Sequence, residues 1–214
     1  MNTGSSELSS GEVGTQPTAV RFEVLVLLTL VGAIAYLTRN AVGVAESTIR
    51  NDLGLSIRQS GWFIGAFFWS YAVLQVPGGA LAHRRGSRFA MVVFAGGCSL
   101  AAIFIGLAPG IVLLMLAQLL MGAAQAGLFP ASCYAISHWT PLARRTLACG
   151  ALAVGMQIGA IAASMSTGVL MDLIHWRWVF VIFALPGFVW SLVFYLRFRD
   201  QPSRDPKVNA AELA

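Results

Sequence analysis

Charge is what this sequence has least of. Asp, Glu, Lys and Arg make up 11% of its 214 residues, against roughly a quarter in an ordinary soluble domain. With 57% of the chain hydrophobic, a water-facing surface cannot be assembled, so a soluble globule is excluded and a surface that faces lipid is implied. Paired cysteine spacing is missing as well. Cys98, Cys133 and Cys149 each lie inside an apolar run, as small buried hydrophobes do and as disulfide partners or metal ligands do not. The first twenty residues are not expected to act as a secretory leader: they are rich in Ser, Gly and Thr and carry Glu7 and Glu12 where a basic region would stand. Residues 1–22 therefore read as a disordered cytoplasmic tail ahead of an uncleaved membrane anchor.

Long apolar runs are what the chain does have. Six segments, near 23–45, 60–82, 89–108, 111–137, 147–171 and 177–197, approach or exceed the roughly 20 residues needed to cross a hydrocarbon core. The expected fold is all-α, a polytopic membrane protein with a six-helix domain over 23–199 and the start of a cytoplasmic linker at 200–214. Arg21, Arg84, Arg85, Arg88, Arg144, Arg145, Arg197, Arg199, Arg204 and Lys207 gather on one side of these spans, and only Arg50, Arg58 and Arg177 on the other. Basic residues mark the cytoplasmic side, which puts both termini there and accounts for the net charge of +5 without a nucleic-acid partner. On the fifth span Ala151, Gly155, Gly159 and Ala163 recur every fourth residue, a small-residue face that lets helices approach closely. Pro77 with Gly78 and Gly79, and Pro130 after Phe129, are expected to bend the second and fourth spans.

No carboxylate occupies the core of any of the six runs. Glu7, Glu12, Glu23, Glu46, Asp52, Asp172, Asp200, Asp205 and Glu212 all lie in tails, loops or span ends. Yet Arg39 stands inside the first run, where an ion costs roughly 2.5–3.5 kcal/mol on insertion scales. Glu46 is two turns further along the same helix, about 10 Å away by the helical rise. Arg39 can snorkel to the headgroups, pair with a carboxylate elsewhere in the assembly, or face a watery cavity and meet an anionic solute. Tyr36 and Asn40 beside it, Tyr71 and Gln75 on the second span, Gln125 on the fourth and Gln157 on the fifth favour the cavity, because each would leave polar groups unpaired in lipid.

The loops carry a resemblance. "GALAHRRGSR" over 79–88 is similar to the signature loop between the second and third helices of the major facilitator superfamily, with Gly79, Leu81, Arg84, Gly86 and Arg88 in matching places. "NDLGLSIRQSGWFIGAFFWSYAVLQVPGGAL", "MGAAQAGLFPASCYAISHWTP" and "HWRWVF" resemble its anion:cation symporter branch, carriers of sugar acids, other carboxylates and phosphate. The resemblance implies that Arg39 contacts an anionic substrate, that Tyr36, Tyr71 and Gln157 line its site, and that no cofactor or metal takes part. It implies an integral protein of a bacterial inner membrane. The family often has an acid on the first helix where Thr38 stands, and one on the fourth where Gln125 stands. Neither replacement can titrate, which puts proton coupling in doubt. The signature-loop acid is replaced by His83, and a second loop acid by Arg144 followed by Arg145, so the cytoplasmic latch lacks both acids expected in this half. His83 is a pH sensor or, as with His138 and His175, an interfacial packing residue.

The superfamily fold has two six-helix halves, each of inverted three-helix repeats, and this chain has the helices of one. It is expected to be a truncation or fragment, with a split gene product or a dimerising half-carrier as alternatives. Its partners are then lipid, a small anionic solute, and a missing second half or second copy. A degenerate half that binds a ligand or partner bundle without transporting is the competing function. An intramembrane enzyme is disfavoured, since no Ser/His pair or ligand cluster falls at one depth.

Overall fold

The computed structural model describes residues 20–204 together with Pro206 and Val208. Of the tail foreseen at 1–22, residues 20–22 are helical and the rest lies outside the described residues, as does most of the foreseen linker at 200–214. Six helices follow: α1 (Val20–Asp52), α2 (Ile57–Arg85), α3 (Ser87–Gly106), α4 (Ile111–Trp139), α5 (Arg145–Leu173) and α6 (Trp176–Arg197). All six are long and apolar enough to cross a membrane.

The helices outrun the apolar segments that announce them. α1 has 33 residues, about 50 Å at 1.5 Å per residue, against a hydrocarbon core of about 30 Å. Its polar extension is held locally: Arg50 donates to Glu46 one turn back at 3.0 Å. The chain then reverses at Gly54, whose φ of +62° suits a residue without a Cβ. Ser56 starts α2 with a reciprocal cap, its hydroxyl accepting from the Gln59 amide while the Gln59 side chain accepts from the Ser56 amide. Pro77 and Pro130 lie inside continuous helices.

Packing reveals an internal symmetry. α1 packs mainly on α5, α2 on α4, and α3 between α4 and α6, with α1 also touching α6. Exchanging each helix of the first three for its counterpart in the second three maps this pattern onto itself. Because an odd number of crossings separates counterparts, the two triplets run in opposite senses, as inverted repeats require. The sequence neighbours α1 and α2, and likewise α4 and α5, touch little.

Backbone-close crossings hold the two main pairs. A Cβ placed on Gly159 of α5 would meet the Ala33 carbonyl of α1, and one on Gly155 would meet Thr29. On α4 a Cβ at Gly122 would meet the Phe67 carbonyl of α2. The small-residue face on α5 is thus the α1 contact, with Gly155, Gly159 and Ala163 buried there. Van der Waals contact and dipole packing drive such crossings in lipid, where no hydrophobic effect acts between helices. At one end of the bundle Asp52 accepts from Arg177 at 2.6 Å and from the Trp176 indole at 3.0 Å, and Arg177 also donates to the Ala108 carbonyl at 3.2 Å. One carboxylate so ties the α1, α3 and α6 ends together, the structural role of the "HWRW" stretch.

Gly159→Ala is expected to destabilise the bundle by about 1–3 kcal/mol through overpacking. Gly168→Ala on the same helix, where an added Cβ meets nothing within 4 Å, is expected to be neutral or slightly stabilising. Denaturant unfolding in detergent, read by Trp fluorescence, distinguishes the pair.

Candidate substrate site

Tyr36, Arg39 and Asn40 project from one turn of α1 toward α2 and α4. The Arg39 guanidinium carbon lies 4.6 Å from the centre of the Phe67 ring, 5.3 Å from Phe68, 5.4 Å from Tyr36 and 5.8 Å from Tyr71. Among the described residues no carboxylate pairs with it. The rings attract the cation through their negative faces, worth roughly 0.5–2 kcal/mol each. They do not satisfy its five N–H donors, and they bring no compensating negative charge.

The aromatic residues divide two cavities stacked along α1. The larger, about 290 Å³, is lined on its polar side by Tyr36, Tyr71, Gln75, Gln125 and Ser132, with Met156 contributed by α5. The smaller, about 200 Å³, is lined by Arg39, Asn40, Phe67, Phe68 and Gln118. Phe67 and Tyr71, one turn apart on α2, stack at 5.6 Å and contribute to the wall between them. Arg39 is therefore on the far side of the aromatic wall from Gln75 and Gln125.

The two positions where acids are foreseen converge on one acceptor. Buried Thr38 donates its hydroxyl to the Ala35 carbonyl at 3.0 Å, and buried Gln125 donates its amide to the same oxygen at 2.7 Å. Gln125 is a bridge between α4 and α1 that no change of pH removes. Asn40 donates back to the Tyr36 carbonyl at 2.8 Å, which fixes its amide beside Arg39. Gln157, by contrast, is exposed on α5 and enters neither cavity; its neighbour Met156 does. Gln118 and Ser132 are not among the residues read from the sequence. Both stand seven residues from Gln125, two helical turns to either side on the same face of α4, and that spacing is the signal that finds them.

The signature loop is held from an unforeseen direction. Gly86 has φ +86°, and a Cβ there would lie 2.7 Å from an Asp200 carboxylate oxygen. Asp200 accepts from the Arg88 amide at 2.8 Å, capping the start of α3, where a negative charge is favoured. The Arg88 guanidinium donates to the Tyr195 carbonyl at 2.8 Å and lies 4.3 Å from the Tyr195 ring centre. The Trp139 indole donates to the Arg199 carbonyl at 3.0 Å, so the segment after α6 is fastened across the ends of α3 and α4. His83 and Arg144 stand where the resemblance puts acids, and the carboxylate that meets this loop is that of Asp200. Gly79 packs its bare Cα side against Pro130, 3.3 Å from an added Cβ. Arg84 is exposed, and so is His83, whose ring meets Tyr134 edge-on at 5.5 Å. Arg145 caps α4, donating to the Ser137 and Thr140 carbonyls at 2.6 and 3.2 Å. Among the described residues no group of three or more His, Cys, Asp or Glu is placed to hold a metal.

Six membrane-length helices in two inverted triplets, meeting around polar cavities at mid-helix, define one half of a secondary-carrier fold. The Major Facilitator Superfamily profile matches residues 28–214, and the chain belongs to that family, whose members matched here are transporters and not enzymes. It is 28% identical over 193 residues to the "Probable sulfoacetate transporter SauU" of Cupriavidus necator, covering 90% of this chain and 45% of that one. It is 32% identical over 208 residues to the hexuronate transporter of Escherichia coli K12, covering 90% and 46%. A bacterial homologue of the human lysosomal transporter Spinster, solved inward-facing and unoccupied, superposes with a TM-score of 0.74 at 26% identity, covering 85% of this chain and 44% of that one. The chain thus spans less than half the length of these relatives.

Gln125→Glu tests the α4–α1 bridge. A protonated carboxylic acid can donate to the Ala35 carbonyl and an ionised one cannot, so the variant's stability relative to the parent is expected to fall as pH rises. The loss, about 1–3 kcal/mol for a broken buried bond, is read from unfolding midpoints between pH 4 and 9.

Proposed function

We propose that this chain is one six-helix half of a secondary transporter for a small organic anion, a carboxylate or sugar acid, moved by alternating access. The observation that carries the reading is Arg39: a cation at mid-helix, held by aromatic rings, lining a cavity, and without a carboxylate partner among the described residues. The substrate's own anionic group is the counter-ion that completes it, and Asn40 and Gln118 supply neutral hydrogen bonds beside the charge. Tyr36, Tyr71, Gln75 and Gln125 in the larger cavity suit the hydroxyls of a sugar acid. The names of the relatives, transporters of sulfoacetate, D-galactonate and hexuronate, support an anion of this kind.

Coupling to protons does not pass through this half in our reading, because Thr38 and Gln125 are neutral at any pH. A second six-helix half, or a second copy, would cover the outward faces of α2 and α5, where Val73, Val76, Ile161 and Met165 are 69%, 82%, 60% and 70% exposed. The length of the relatives favours the first of these and also leaves a competing reading, a half that binds its anion without transporting it. Reconstituted uptake separates the two, since binding without uptake belongs to the second.

Arg39→Ala in the completed carrier is expected to weaken binding of galactonate, glucuronate or sulfoacetate by about 10- to 100-fold, the worth of hydrogen bonds to a charged group. Isothermal titration measures it, and an unchanged Kd would remove Arg39 from the site. For orientation in a bacterial inner membrane, a fluorescent-protein fusion at the C-terminus is expected to glow. An alkaline phosphatase fusion after Gly54 is expected to be active; an inactive one reverses the topology.

A further inference from the structure

Buried polar groups are almost always paired, and the smaller cavity holds an exception that the charge of Arg39 does not explain. Gln118 is 3% exposed, yet its amide has no hydrogen-bond partner among the described residues. Gln125, two turns along the same face of α4 and similarly buried, donates to the Ala35 carbonyl. The Thr167 hydroxyl is also unpaired, but it lines neither cavity. Gln118 does line one: it borders the space beside Arg39 and Asn40. Asn40 is only half committed. One of its N–H groups donates to the Tyr36 carbonyl, and its amide oxygen accepts from no group among the described residues. Arg39 brings five N–H donors and no acceptor, whereas each of the two amides still offers both an N–H and a carbonyl oxygen. The rest of the lining is aliphatic or aromatic, from Val42, Gly43, Ile64, Phe67 and Phe68.

We infer that Asn40 and Gln118 are specificity-determining residues, which select small hydroxylated anions over unsubstituted carboxylates and sulfonates of the same charge. A bare oxyanion such as acetate accepts from all of these donors and gives nothing to the two amide oxygens. Its entry expels the water that serves those oxygens and puts an acceptor in its place. A hydroxyl on the same anion reverses the contact: its O–H donates to an amide oxygen, and its lone pairs accept from an amide N–H. A site whose polar groups await a hydroxyl rejects the analogue that lacks one much more strongly than an apolar pocket rejects one that adds it. This selection rests on the proposed role of Arg39 as the anion's counter-ion: Arg39 sets the charge, and the two amides set what stands beside it. Because the aromatic wall puts Gln75 and Gln125 in the other cavity, the hydroxyl read here is one that shares the smaller cavity with the anionic group.

Two pairs of anions matched in size and charge test the selection. Glycolate against propionate, and lactate against isobutyrate, each exchange one hydroxyl for one methyl. Titrated calorimetrically into the purified full chain in detergent, each hydroxy acid is expected to bind about 10- to 100-fold more tightly than its partner, the worth of a buried polar group satisfied or left unpaired. This comparison on the parent requires no variant to fold. In Gln118→Met, which keeps the length of the side chain and removes the amide, both ratios are expected to fall toward unity. Equal affinities within both pairs in the parent overturn the selection and leave Arg39 as an anion site. Ratios that survive in both Gln118→Met and Asn40→Ala put the selection elsewhere and overturn it too. Absence of binding by all four anions removes the Arg39 site itself, and the selection with it.

Discussion

An arginine charge in the middle of an apolar bundle has to be answered somewhere, and the way this protein answers it organises everything around the first helix. The rings of Tyr36, Phe67, Phe68 and Tyr71 surround Arg39 and lower the cost of holding the cation, but quadrupoles are not ions. Glu46, the nearest acid on α1, is engaged by Arg50 and Ser60 and is not drawn down to it. In the proposed site the anionic group of the substrate supplies the missing charge. A site of this kind is selective by default: a neutral sugar would leave the same cation uncompensated, and a cation would add to the imbalance.

Where a titrating acid would allow the α1–α4 contact to be made and broken with each proton, Thr38 and Gln125 give the Ala35 carbonyl two neutral donors. An amide is isosteric with a protonated carboxylic acid and copies its hydrogen bond without its release. The α1–α4 contact is therefore built as a protonated acid would build it, and in the proposed carrier a proton would have to couple elsewhere.

Much of this was legible in the sequence, for reasons that differ by residue. The six spans could be read because hydropathy is a one-dimensional signal, and the α1–α5 crossing because Gly155, Gly159 and Ala163 recur at the helical spacing. Arg39, Tyr36, Tyr71, Gln75 and Gln125 could be read because polar groups in lipid must turn inward. That logic does not say which side of a helix is inward, so it does not separate Gln157, exposed on α5, from the residues that line the two cavities, and it does not single out Gln118 and Ser132. Nor does it divide the cavity in two, since the wall is made by rings whose position depends on how α2 leans on α4. Asp200 was beyond reach for another reason: it caps a helix whose contacting amide lies 112 residues earlier in the chain, and no local pattern encodes a contact of that span. Hydropathy also set the ends of α1 too close together, because a helix supported by Glu46 and Arg50 does not stop where its apolar stretch stops.

The glycine crossings have a mechanical consequence. Where Gly159 meets Ala33 and Gly122 meets Phe67, main chain lies on main chain, with no side chains between to change rotamer and absorb a shift. Sliding either pair along its own axis would drive carbonyls into the opposite backbone, so each pair behaves as a single stiff beam. Compliance is left to the seams between beams, α1 against α2 and α4 against α5, which are joined by short turns and touch little. With α3 and α6 joining the two beams through the shared core, the stiffness of each seam is set by the few side chains that bridge it, as Ser60 on Glu46 does between α1 and α2.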